Sequence, residues 1–128
     1  MSSSRQAALL AAVALVCAVL VSCGLSAEQS AAGRTGGDPR RGRANIEKYG
    51  CCSCHTIPGI PAAHGMVGPP LTGFGQRSYV AGVLTNTADN VGRWIENPKS
   101  VDEKTAMPVL GVSAQEAIDI VAYLYSTK

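Results

Sequence analysis

Cys51-Cys52-Ser53-Cys54-His55 decides what this chain can be. Cys51, Cys54 and His55 spell C-x-x-C-H, the spacing of covalent c-type haem attachment. Two thiols three positions apart sit about one helical turn from each other, so both can reach vinyl groups along one porphyrin edge. The adjacent His55 then points its imidazole at the iron as the proximal ligand. Two other chemistries use a C-x-x-C pair. A redox dithiol wants a preceding strand and a βαβ surround, and the sequence offers neither. A structural zinc site wants a second ligand pair, but Cys17 and Cys23 lie near the amino end and only His64 could join. Haem attachment is the reading that the residues favour.

Outward from the motif, the amino end reads as an export signal. Arg5 is the only charge before an apolar run from Ala7 to Val21. As a helix that run would span about 22 Å, short of a bilayer core of about 30 Å. A weakly positive start, a short apolar stretch and small residues describe a secretory signal peptide over residues 1–22. Leu20-Val21-Ser22-Cys23 resembles the bacterial lipobox, which makes Cys23 the candidate lipid-bearing first residue of the mature chain. Cleavage after Leu25-Ser26-Ala27 is the competing outcome and would release a soluble protein. Residues 23–38, rich in Ser, Ala and Gly, read as a flexible tether. The protein is therefore expected on the extracytoplasmic or periplasmic side, held to a membrane by lipid.

Residues 39–128 read as one small all-α domain. Pro39 suits a first helical turn, and a short helix runs on through Ile46 and Tyr49 to Gly50. From Thr56 to about Gln76, four prolines and five glycines exclude regular helix or strand. A loop this long needs a physical reason, and wrapping a haem edge supplies one. Thr87 is an N-cap for a helix over Ala88 to about Asn97, stopped by Pro98, with Ala88, Val91, Trp94 and Ile95 on one face. Ser113 and Glu116 form a capping box for the last helix, which carries a wide apolar stripe from Ala117 to Tyr125. No strand is persuasive. The net charge is +2, one unit of it from Arg5, which gives no basic field of nucleic-acid size. Arg40, Arg41 and Arg43 read as a solvated helix start, or else as a contact for anionic headgroups or an acidic partner.

The side of the iron opposite His55 takes methionine, histidine or nothing. Met66, Met107 and His64 are the candidates in this region. Chain reach does not exclude Met66, which lies eleven positions after His55. Position favours Met107, in a loop between two helices with Pro108 fixing the backbone behind it.

With the motif stand Val67-Gly68-Pro69-Pro70-Leu71, Trp94-Ile95-Glu96-Asn97-Pro98-Lys99 and Thr105-Ala106-Met107-Pro108. In this order they resemble the class I c-type cytochromes, over Gly42 to Lys128. The resemblance implies a small cytochrome c fold, with three or more short helices and long loops wrapped round one covalent haem c. It implies that Pro69 accepts a hydrogen bond from His55, that Met107 ligates iron, that Trp94 lies against the haem and that Tyr79 or Arg77 bonds a propionate. Cys52 is a departure, a third thiol with the wrong spacing to Cys54 for attachment.

Filled axial positions would make the chain a one-electron carrier rather than an enzyme. The expected partners are a bc-type complex or dehydrogenase on one side and a terminal oxidase or reductase on the other. A haem sensor or peroxidase-like protein, with a displaceable sixth ligand, and a detached domain of an oxidase complex are the alternatives. About ninety residues with long loops bury a marginal core without a cofactor. Haem-free Cys51→Ala/Cys54→Ala protein should therefore be largely unfolded. A narrow, poorly dispersed NMR spectrum is the expected result, and a well-dispersed one would contradict it.

Overall fold

Pro39 opens a helix because its missing N–H costs nothing in a first turn, and Asp38 caps that turn by accepting the Arg40 N–H at 2.8 Å. In the computed structural model, which describes residues 27–128, this helix is α2, Pro39–Lys48. It is preceded by α1, helical over residues 27–35. Thr87 caps α3, Ala88–Glu96, by accepting the Asn90 N–H. Ser113 and Glu116 make the reciprocal capping box that starts α4, Ala114–Ser126. Single 3₁₀ turns lie at Cys51–Ser53, Phe74–Gln76 and Pro98–Ser100. The all-α expectation holds, with one local difference. Tyr79–Val80 (β1) and Leu84–Thr85 (β2) pair antiparallel, with Tyr79 opposite Thr85 and Val80 opposite Leu84. Ala81 and Gly82 both take positive φ in the intervening turn, and two-residue strands are too short to leave a periodicity in sequence.

The segment expected to be a flexible tether is ordered from residue 27 onward. Alanine favours helix, and Ala31 is fully buried, so this segment has a packing partner that composition does not reveal. The proposed signal peptide, Cys23 and the first tether residues lie outside the described residues.

Helix α4 is the centre of the domain, packed on α2 and α3. Ala117, Ile120, Val121 and Leu124 are buried as the apolar stripe requires, but so are Asp119, Ala122 and Tyr123. Burial nearly all round explains why α2 must approach closely. A Cβ on Gly42 would run into the Asp119 carbonyl and come within 3.0 Å of Tyr123 Cβ. Ile46, Val91 and Ile95 join the core from α2 and α3, and Ile57, Ile60, Ala63, Phe74, Val80 and Val112 join it from the intervening loops and β1, with Tyr49, Ala88 and Trp94 half-buried against it.

Asp119 is the one buried charged side chain among the described residues. Its carboxylate accepts from Arg41 Nε at 2.8 Å, from the Asp38 N–H at 2.8 Å and from Gln115 Nε2 at 3.1 Å. Burial pushes its pKa up, but the Arg41, Asp38 and Gln115 hydrogen bonds outweigh that and hold it below the ordinary carboxylate value. Arg41 is therefore a structural partner, while Arg43 pairs with Glu47 on the same helix. Glu116, bonded first to Lys48 and then to Ser113 and Tyr49, is lowered to about 2.

Carboxylates depressed in the folded state stabilise it fully above their unfolded pKa, about 4. That stabilisation is lost as pH falls from there through the folded values. The haem-loaded protein should accordingly lose stability between about pH 5 and pH 2. Asp119→Ala, which strands the donors facing it, should cost about 2 kcal/mol at neutral pH, a value discounted because Arg41 is half exposed. Denaturant unfolding followed across pH checks both, and an unchanged midpoint in the variant would contradict the role given to Asp119.

Candidate functional site

The site begins where α2 stops. Gly50 takes a left-handed φ of 70°, which turns the chain into the Cys51–Ser53 turn. The Cys54 and His55 amides both donate to the Cys51 carbonyl, at 3.2 and 3.0 Å. This single helical turn brings the backbone of Cys51, Cys54 and His55 together. No disulfide joins the three cysteines of the motif. Burial, with Cys52 close by, pushes the Cys51 thiol up to about 11, and burial also raises Cys52.

The proline- and glycine-rich loop then folds back over the motif. The Gly68 N–H donates to the Cys54 carbonyl and the Leu71 N–H to the Thr56 carbonyl, each at 2.8 Å. Thr56 and His64 form an isolated bridge, and Thr56 Oγ1 donates to the Gly65 carbonyl at 3.1 Å. This strapping holds His55. Its Nδ1 lies 2.8 Å from the Pro69 carbonyl oxygen. A carbonyl only accepts, so Nδ1 carries the proton and Nε2 keeps a lone pair for a metal. Gly68 lies flat against the imidazole, and a Cβ there would overlap the ring.

Met107 comes from the loop between α3 and α4. Asn97 caps the Pro98–Ser100 turn, and Lys99 Nζ donates to the Glu103 and Thr105 carbonyls at 3.2 and 2.6 Å. Thr105 Oγ1 accepts the Met107 N–H at 3.2 Å. Met107 itself is half-buried and stands outside the core cluster. Met66, by contrast, is 93% exposed, and His64 is exposed.

Of the other candidates, Trp94 is half-buried on α3 against the core. Tyr79 is 62% exposed, and its hydroxyl has no hydrogen bond among the described residues. Arg77 binds the Pro70 and Thr72 carbonyls and lies over the Phe74 ring, so it staples the loop. Sequence reasoning missed three further supports. Asn86 Nδ2 ties the Phe74 and Arg77 carbonyls, Tyr125 holds Asn86, and Tyr123 donates to the Pro58 carbonyl at 2.7 Å. They join residues too distant in sequence for any local pattern to show.

Among the described residues, no group of three or more His, Cys, Asp and Glu side chains is placed to hold a metal ion, so the zinc arrangement is not formed. The attachment residues fit haem instead: two thiols on one helical turn, followed by an imidazole with Nε2 uncommitted and Gly68 against its face. The family model for cytochrome c matches residues 39–128. The chain belongs to the cytochrome c family.

Family membership implies haem c, bound covalently, with Cys51 and Cys54 the residues that would hold it. The chain is also similar to cytochrome c oxidase subunit 2 of Alkalihalophilus pseudofirmus, 35% identical over 89 residues, or 69% of this chain and 25% of that protein. Cytochrome c oxidase subunit 2 of Bacillus sp. strain PS3 is 31% identical over 93 residues, 70% of this chain and 26% of that protein. The chain thus spans about a quarter of the length of these curated relatives. No solved structure matches it significantly.

Because Gly68 seats the imidazole, Gly68→Val should lower the yield of pigmented cytochrome by about tenfold, whereas Cys52→Ala should leave it unchanged. Pigment surviving acid–acetone extraction measures both. A fully pigmented Gly68→Val protein would contradict the cradle.

Proposed function

We propose that this cytochrome c is an extracytoplasmic one-electron carrier and not an enzyme, with haem iron held between His55 and Met107. The observation that carries the reading is the committed tautomer of His55, fixed by Pro69, together with a methionine loop pinned by Lys99 and Thr105. Bound haem supplies the Fe(III)/Fe(II) couple. The chain's part is to keep both ligands in place in either state. Pro69 makes the imidazole more basic and stops it rotating. A thioether ligand favours Fe(II) and raises the potential. Trp94, Leu71 and Leu84, half-buried against the core, would supply apolar surface to keep water from the ring. Tyr79, exposed and with no side-chain hydrogen bond among the described residues, would be available to a propionate.

Redox proteins are the partners: a bc-type complex or dehydrogenase as donor and a terminal oxidase or reductase as acceptor. The likeness to oxidase subunits supports the second of these. It equally supports a second reading, in which the chain is a detached cytochrome domain working within an oxidase complex. Stable co-purification with an oxidase from detergent-solubilised membranes would favour that reading over a free shuttle. Export by the segment 1–22 and lipid attachment at Cys23 complete the proposal. Among the described residues no helix is long and apolar enough to cross a membrane.

Replacing Met107 tests the ligand assignment. Ferrous wild-type protein should bind carbon monoxide slowly, whereas Met107→Ala should bind it at least about tenfold faster and show a lowered potential. A wild-type protein that is high-spin and binds carbon monoxide rapidly would contradict the carrier reading and favour a sensor or peroxidase-like role.

A further inference from the structure

We propose that residues 27–38 are a rigid mount, which fixes the orientation of the haem domain on the bilayer that its amino end is anchored to. The proposal rests on the lipid-anchor reading of Cys23 and goes beyond it. Composition makes this segment a tether, and a tether would let the domain roam. The sixteen residues 23–38 as free coil would span about 22 Å on average, and about 55 Å when stretched.

From residue 27 onward the structure removes that slack. In α1, Ala31 is fully buried, and Thr35 Oγ1 donates back to the Ala31 carbonyl at 2.9 Å. Arg34 reaches across to α4, donating to the Tyr125 carbonyl at 3.3 Å with its guanidinium 5.7 Å from the Tyr125 ring centre. The two glycines that look like a hinge are both committed. Gly36, at φ 74°, closes the helix by donating to the Ala32 carbonyl at 2.8 Å. Gly37 is buried where its Cα meets α4, and a Cβ there would run into the Ile118 carbonyl. The Asp38 N–H then donates to the buried Asp119 carboxylate at 2.8 Å, and α2 follows at once.

The long-range contacts of Arg34, Gly37 and Asp38 all end on α4, the same helix that organises the core. Only four peptide units separate Cys23 from Ala27, at most about 14 Å of chain. A lipid on Cys23 would thus hold the domain against the membrane surface by a short link to a docked helix. A carrier so mounted presents one face to neighbours in the membrane, and its effective concentration toward them is set by orientation as well as by proximity.

Two arms test this on haem-loaded protein. In Cys23→Ala protein, which carries no lipid, amides 31–36 should exchange hydrogen at least about tenfold more slowly than unstructured chain. Exchange at the unstructured rate overturns the mount. The full lipidated protein is then placed in oriented multilayers of phosphatidylcholine and phosphatidylglycerol, with its lipid verified by intact mass. The ferric electron paramagnetic resonance signal should change several-fold in amplitude as the sample is rotated in the field. Ala31→Glu should abolish that dependence while keeping the visible spectrum, and Arg34→Ala, which removes the Tyr125 contacts without burying a charge, should weaken it. Slow exchange in solution with an isotropic membrane signal overturns the mount while leaving the anchor intact. Protein whose mass shows no lipid overturns the anchor, and with it the mount.

Discussion

The hydrogen bond between the His55 imidazole and the Pro69 carbonyl is the constraint on which the rest of this domain depends. A histidine beside two cysteines can turn its ring in many ways, and only one would serve the iron of a porphyrin attached through those cysteines. The long loop exists to impose that one. It crosses back over the motif, bonds Cys54 and Thr56 through its own backbone, and sets Gly68 against the ring face. Its irregularity is functional. The prolines and glycines that forbid helix also bring a carbonyl, free of any ladder, to the imidazole.

Holding that loop takes the remainder of the fold. Helix α4 sends Tyr123 to the Pro58 carbonyl and Tyr125 to Asn86, which in turn gathers the Phe74 and Arg77 carbonyls. The same helix receives α2, with the haem motif at its end, through Gly42 and the Arg41–Asp119 pair. Both ends of the motif-bearing segment therefore refer to a single buried rod. Buried ion pairs are weak sources of stability, because desolvation cancels much of the attraction. Asp119 is better understood as setting position, since it fixes the start of α2 through Asp38 as well as Arg41.

How far the sequence could be read follows from the range of each interaction. Caps are local, so Thr87, Ser113–Glu116 and the Gly50 stop are legible to the residue. The attachment motif is legible for the same reason, being one turn long. Pro69 could be named only through family resemblance, because a backbone carbonyl leaves no side-chain signature. Asp119 sits 78 residues from Arg41, inside a stripe that otherwise reads as apolar, so its partner could not be seen. The tether misled for a related reason. Ala and Gly carry no side chain that names a partner in sequence, and the segment is ordered because α4 is there to receive it. The resemblance implies a propionate contact for Tyr79 or Arg77, and the structure shows the Arg77 guanidinium holding the Pro70 and Thr72 carbonyls of its own loop.

Near-infrared magnetic circular dichroism of the ferric protein, matured with its export and haem-attachment machinery, tests the central claim most directly, because the charge-transfer energy reports the pair of axial ligands. The account predicts the histidine–methionine signature, lost in Met107→Ala and kept in Met66→Ala. A bis-histidine or high-spin signature in the wild-type protein would contradict it.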